Sequence, residues 1–130
     1  MHDGKVLVVD IDGTLCPIKQ PGEDYASLPV DVAMRDRLAA LRAEGWRIVL
    51  ASSRGVRTYN GNLGEILVHV LPTLQDWLAR NDVAYDEIWM AKPWPGHEGF
   101  YIDDRTVRPR EFLEHSIEEI GEILARDRNI

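Results

Sequence analysis

Four short apolar runs, each breaking off abruptly into polar residues, constrain this chain more than any other feature. Residues 5–9 are rich in valine and stop at Asp10; residues 46–51 stop at Ser52-Ser53-Arg54; residues 87–91 stop at Lys92; residues 100–102 stop at Asp103-Asp104. Short continuous apolar runs are the pattern of strands buried on both faces of a parallel sheet. Between them the spacing turns helical. Asp31 is placed to cap a helix running to about Glu44, with Met34, Leu38 and Leu41 on one face and Gly45 as its stop. Asn62 with Glu65 reads as a capping box, and Ile66, Val70, Leu74, Trp77 and Leu78 keep helical spacing after it. Pro72 falls inside that pattern, so a break and a fresh start are expected, with Pro72 in the first turn of the second piece. Ser116 with Glu119 opens a last helix whose apolar stripe is Ile117, Ile120, Ile123 and Leu124. Alternation of this kind implies an α/β fold: a doubly wound, Rossmann-like parallel sheet with helical crossovers. Residues 13–29 carry Pro17, Pro21, Gly22 and Pro29 and are expected to form a loop or small flap.

A chain of 130 residues, 45% hydrophobic and 28% charged, is expected to form a single domain, residues 1–130, around one core. The net charge of −7 argues against a nucleic-acid partner held by its phosphates, while leaving room for a small anion bound by local donors. No apolar stretch approaches the roughly 20 residues of a membrane span, so no membrane partner is expected. The N-terminus enters a strand pattern without a signal-peptide segment, and the single cysteine, Cys16, has no partner for an internal disulfide. Both point to the cytoplasm. Cys16 itself is expected to be a small buried residue.

In a parallel sheet the C-terminal strand ends lie along one edge, where open α/β folds place their ligands. Asp10, Asp12, Ser52, Lys92, Asp103 and Asp104 would therefore meet there although they span nearly the whole chain. A carboxylate such as Asp10 can attack phosphorus and split one displacement into two easier ones. Asp12, two residues on along an extended chain, can protonate the leaving oxygen and then deprotonate water. Gly13 allows a tight turn after the strand. Ser52 offers a hydroxyl to phosphate oxygens, and Lys92 a cation. Carboxylates gathered around a phosphate require a hard cation among them, and Mg²⁺ with oxygen ligands suits that setting. Taken singly, each of these residues has a blander explanation as a turn, cap or surface charge; their convergence on one edge is what points to phosphoryl transfer.

At these residues the chain resembles the haloacid-dehalogenase-like (HAD) superfamily of phosphohydrolases. The run Asp10-Ile11-Asp12-Gly13-Thr14-Leu15 is similar to its first motif, Ser52 to the second, Lys92 to the third and Asp103-Asp104 to the acidic fourth. The resemblance implies that Asp10 is the nucleophile and a magnesium ligand, and that Asp12 is the acid/base and lends its backbone carbonyl to the metal. It implies that Asp104 binds the metal directly and Asp103 through water or an outer contact. Gly13, Thr14 and Ser53 then fall on the substrate side of the motifs, and Arg54, Asn62 and Arg105 are candidates for fixing substrate. Asn62 as a helix cap and the arginines as surface ion pairs are the structural alternatives.

Ser52-Ser53-Arg54, Tyr59-Asn60-Gly61-Asn62, Lys92-Pro93-Trp94 and residues 101–105 are also similar to small bacterial HAD proteins described as capsule-biosynthesis phosphatases. That likeness implies a phosphorylated sugar or polysaccharide precursor as substrate. HAD enzymes usually insert a cap domain between these motifs, and neither interval here has room for one. Closure over substrate is then expected from a bulky substrate, the flap or a neighbouring subunit in a homo-oligomer. Two other functions suit the same residues. One is a phosphotransferase or mutase that passes the aspartyl-phosphate to a sugar hydroxyl. The other is a non-catalytic phospho-acceptor or binding module, for which the Asp12 acid/base would be out of place.

Overall fold

The computed structural model describes residues 4–128. Contacts divide the chain into two compact units, Met1–Trp94 and Pro95–Ile130, which are taken in turn.

In the first unit, β1 (Val6–Asp10), β2 (Arg47–Ala51) and β3 (Glu87–Trp89) form a sheet in the order β1-β2-β3. Both pairings are parallel. Parallel neighbours cannot be joined by a hairpin, so each connection must cross over, and here each contains helix. The first carries a 3₁₀ turn (Tyr25–Ser27) and α1 (Val32–Ala43); the second carries α2 (Leu63–His69) and α3 (Leu71–Arg80). The result is a small α/β arrangement compatible with the Rossmann-like class.

The caps act where the sequence places them. The Asp31 carboxylate accepts the Met34 N–H at 3.0 Å, and Gly45 follows α1 at φ +104°, a conformation that disfavours any residue with a Cβ. Pro72 stands in the first turn of α3, where its missing N–H costs no helical bond, so the helix breaks and restarts there. Of the capping box expected at Asn62, the side chain to the Glu65 N–H (3.1 Å) is the half that carries the cap.

The core lies between sheet and helices. Ile48 and Leu50 of β2, Leu38 of α1, Ile66 of α2 and Leu74 and Leu78 of α3 are all at most 1% exposed. Asp86 locks the foot of the sheet. Its carboxylate accepts the Ile48 N–H at 2.8 Å and two bonds from the Arg42 guanidinium at 2.9 and 3.1 Å. The Arg42 hydrogen bonds, followed by the Ile48 N–H, hold that carboxyl below the usual carboxylate range. Trp77 is wholly buried, and its indole N–H donates to the Leu28 carbonyl at 2.8 Å. That bond fastens the end of the 16–29 segment to α3, so the flap is anchored at one end.

The second unit contains α4 (Pro109–Glu114) and α5 (Ile117–Arg126). Ser116 and Glu119 close the capping box expected for α5, at 3.1 and 2.9 Å. The short α4 was not anticipated from sequence, although Pro109 in its first turn and the Glu111 carboxylate accepting the Arg108 N–H (2.9 Å) are standard start signals.

Two expectations need correction. Residues 100–102 are not a strand, and Phe100 and Ile102 are 76% and 90% exposed. A strand is defined by its hydrogen-bonded ladder, and apolar composition does not make one by itself. Nor is β1 buried on both faces, since Val8 is 70% exposed.

Trp77→Phe keeps most of the buried ring but orphans the Leu28 carbonyl. Urea unfolding should show a loss of about 1–3 kcal/mol, and limited proteolysis should cut first within residues 16–29.

Candidate active site

The register of β1 on β2 sets the site. Asp10 pairs with Ala51, so the last residue of β1 stands level with the residue before Ser52. Both strands run parallel, so their C-terminal ends emerge side by side.

After β1 the chain turns sharply. The Thr14, Leu15 and Cys16 N–H groups all point at the Ile11 carbonyl (3.1, 2.8 and 3.3 Å), and the Gly13 N–H reaches the Cys16 carbonyl at 2.8 Å. Gly13 sits at φ +87°, which a side chain would strain. This turn leaves Thr14 Oγ1 at 3.4 Å from one oxygen of Asp10. Lys92 Nζ lies 3.3 Å from the other. Both contacts are long, and the Asp10 side chain keeps 39% of its surface exposed. A carboxylate held so lightly can turn toward a ligand.

Asp12 is held very differently. Arg54 donates to both of its oxygens, Nε at 3.0 and 3.2 Å and Nη2 at 2.9 Å. The Arg54 side chain is 2% exposed, that of Asp12 28%. A guanidinium buried to this degree is tolerated only when paired, and the bidentate fork supplies both charge and orientation. The Arg54 guanidinium also lies over the Tyr25 ring, 4.2 Å from its centre. Tyr25 belongs to the flap, so a single arginine ties the flap to the acidic turn. Burial, followed by the Asp12 charge, raises the Tyr25 phenol above its ordinary pKa.

Ser52 is 1% exposed, and its Oγ accepts the Arg54 backbone N–H at 3.0 Å. Accepting in this way leaves the hydroxyl proton available to donate. Ser52 also joins the third strand end: its N–H reaches the Trp89 carbonyl (2.9 Å), and its carbonyl accepts the Lys92 N–H (3.1 Å). Ala91, directly before Lys92, has φ +60°. A non-glycine residue in that region is strained by about 1 kcal/mol or more. The strain sits where the chain must bend to bring Lys92 back beside Asp10.

The first unit thus assembles Asp10, Asp12, Gly13, Thr14, Ser52, Arg54 and Lys92 as the sequence suggests. Arg54, expected on the substrate, is engaged with Asp12. Asn62 caps α2, its structural alternative. Ser53 is half-buried between Ser52 and Arg54. Asp103, Asp104 and Arg105 belong to the second unit, where Asp103 accepts the Arg105 N–H at 2.8 Å and Asp104 pairs with Arg128 at 3.1 Å. Tyr25 and Ala91 were not singled out from sequence. Tyr25 had one signal, a lone aromatic in a proline-broken segment; Ala91 had none, since alanine does not advertise a left-handed backbone.

The donor set suits magnesium in one respect. That ion is commonly held by one or two carboxylates together with waters and substrate phosphate, and Asp10 with the Asp12 carbonyl are oxygen donors of that kind. Among the described residues, no group of three or more acidic, histidine or cysteine side chains converges. A concavity of about 460 Å³ lined by Arg42, Trp46 and Arg47 opens at the N-terminal end of β2, far from this chemistry. Its arginines are paired with Asp86 and Glu87, so it offers an anion little.

Cys16 is buried as expected, with Sγ 3.6 Å from both Asp12 Oδ1 and Arg54 Nη2. Burial first, and the Asp12 charge second, push the thiol from 9.0 up to about 11. The folded state therefore holds this proton where the unfolded chain releases it, and stability must fall as pH rises from 9 to 11. Urea titrations at both ends of that window should show an extra loss on the order of 2 kcal/mol relative to Cys16→Ala. At neutral pH, alkylation of Cys16 should be slow until the protein is unfolded.

No protein-family model matches this chain, and a search of curated proteins finds no match either. Among solved structures, the crystal structure of a structural-genomics target from Vibrio cholerae is similar at 42% identity, with a TM-score of 0.90. The alignment covers 96% of this chain and 100% of that one. The description of that structure names no activity. At this identity and coverage, the chain belongs to the same family as the Vibrio cholerae protein.

Proposed function

We propose that the protein is a magnesium-dependent phosphomonoesterase of the HAD type, without a cap domain, working through an aspartyl-phosphate on Asp10. The observation that carries this is the division between two carboxylates two residues apart. Asp10 is half-exposed between Lys92 and Thr14, whereas Asp12 is gripped by a buried arginine. One is free to attack and the other is fixed in orientation.

In the first half-reaction an Asp10 oxygen attacks phosphorus, and the ester P–O bond breaks. The leaving oxygen takes a proton from the Asp12 carboxyl, which can carry one only when one of its oxygens is released from the Arg54 fork. In the second, the Asp12 carboxylate takes a proton from water as the water oxygen attacks phosphorus. The acyl-phosphate P–O bond then breaks, releasing inorganic phosphate and restoring Asp10. Lys92, beyond the strained Ala91 bend, neutralises charge beside Asp10, and the Ser52 hydroxyl would donate to a phosphate oxygen. Magnesium, held by Asp10 and the Asp12 carbonyl, would supply further charge neutralisation at the phosphoryl group. Arg54 acts through Asp12, and Tyr25 through Arg54. No helix among the described residues is long and apolar enough to cross a membrane. The substrate class favoured by the sequence likeness is a phosphorylated sugar or polysaccharide precursor.

Phosphate release from sugar phosphates, nucleotides and phosphopeptides, with Mg²⁺ and with a chelator, tests this. Turnover should require the metal, and Asp10→Asn should lower kcat by about 10³-fold or more while leaving the unfolding midpoint nearly unchanged. Full activity in Asp10→Asn would remove the nucleophile and the reading with it. Adding an acceptor sugar separates hydrolysis from phosphoryl transfer to a hydroxyl.

Arg54→Lys keeps the charge but cannot reproduce the fork on Asp12. It should lower kcat by roughly 10–100-fold with a smaller change in KM. Arg54→Ala should also destabilise the fold, because it empties a buried position and frees Tyr25.

A further inference from the structure

Hydrogen bonds hold the flap of the first unit as a wall beside the acidic turn. The Asp31 N–H donates to the Leu15 carbonyl at 2.7 Å, which ties the two ends of the flap together. Next to the Trp77 bond on Leu28, Arg80 Nη2 donates to the Ala26 carbonyl at 3.1 Å. Inside the flap the Glu23 carboxylate accepts the Gln20 N–H at 2.7 Å, and Asp24 accepts the Ala26 N–H at 3.2 Å. A segment ordered in advance loses little further freedom when a ligand binds to it.

Two side chains of this wall stand near Asp12. Ile18 packs against Gly13: a Cβ at that glycine would lie 3.4 Å from Ile18 Cγ1. Lys19, the next residue, therefore follows a contact with the residue directly after Asp12. Its ammonium lies 5.6 Å from the centre of the Tyr25 ring, the same ring that Arg54 covers at 4.2 Å. Burial, and then the charge of Asp12, raise the Tyr25 phenol, so it keeps its proton at neutral pH. Neither donor is spent on the protein. Among the described residues the Tyr25 hydroxyl makes no hydrogen bond and Lys19 no ion pair; the Lys19 ammonium reaches only the carbonyl of its neighbour Gln20, at 3.4 Å. An ammonium and a hydroxyl proton in one small region, with no carboxylate answering them, suit an anionic oxygen group.

We propose that Lys19 and Tyr25 form an anion subsite for the leaving group, so that the preferred substrates carry a second anionic oxygen group, a carboxylate or a further phosphate, besides the phosphomonoester attacked by Asp10. The acid/base group must lie within hydrogen-bond reach of the leaving oxygen. Whatever that oxygen belongs to must then extend past the turn where Ile18, Lys19 and Tyr25 stand. Lys19 supplies the charge, and the Tyr25 hydroxyl a directed hydrogen bond. The anion subsite stands on the contacts of the flap, whereas its role toward a leaving group rests on the phosphoryl-transfer reading.

Glucose 1-phosphate, glucuronic acid 1-phosphate and glucose 1,6-bisphosphate present one sugar without a second anion, with a carboxylate and with a phosphate. With Mg²⁺, kcat/KM for at least one of the charged pair should exceed that for glucose 1-phosphate by about 10-fold or more, and which one it is tells carboxylate from phosphate. The ratio should fall to near unity in Lys19→Met, fall severalfold in Tyr25→Phe and persist in Lys19→Arg. Because the ratio is taken within one variant, partial unfolding lowers both rates alike and leaves it unchanged. Equal kcat/KM for all three in the wild type, or a preference that survives Lys19→Met, would overturn the subsite. If the wild type releases phosphate from none of them, calorimetric titration with the same three compounds decides. Tighter binding of a charged one, lost in Lys19→Met, would uphold the anion subsite and reject the phosphatase; no such difference would overturn the subsite too.

Discussion

The parallel register of β1 on β2 is the constraint from which the site follows. With Asp10 level with Ala51, Ser52 must emerge beside the first acidic turn although the whole of the flap and α1 intervenes in the chain. Parallel pairing makes that crossover obligatory, and the apolar side chains of β2 hold it in place by burying Ile48 and Leu50 completely. The foot of the sheet is fixed by Asp86 bridging Arg42 and the Ile48 amide. The polar edge and the anchored edge are therefore opposite ends of the same strands.

On that edge, Arg54 makes two chemically identical residues different. Buried beneath the turn, it must be paired, and it takes Asp12 rather than Asp10 because the turn at Gly13 brings Asp12 and Cys16 within its reach. Asp10 is left with two long contacts. The flap enters the same network through Tyr25 on Arg54, and through Leu28 on Trp77. Movement of the flap would thus be felt by Asp12 before it reached Asp10.

The second unit obeys a different balance. Its helices are locally well made, with a complete capping box on α5, yet their apolar stripe is only half covered. Local hydrogen bonding is satisfied and hydrophobic burial is not. This is the condition in which a segment gains most by joining another surface.

Much was legible in the residues. Asp31, Pro72 and Ser116 act through short-range geometry, and each helix start follows from side chains within four positions. Asp10, Ser52 and Lys92 could be placed together because strand direction fixes which ends align. The sequence alone therefore determined three of the strands, that they run parallel, most of the helices and the polar residues at the strand ends, since these depend on local periodicity and on the one rule that parallel strands share an edge. Tertiary structure alone decided that Arg54 grips Asp12, that Tyr25 covers Arg54, that Ala91 bends against its preference, and that residues 100–102 are not a strand. Those outcomes depend on which distant groups reach one another, and nothing in the neighbouring residues encodes that.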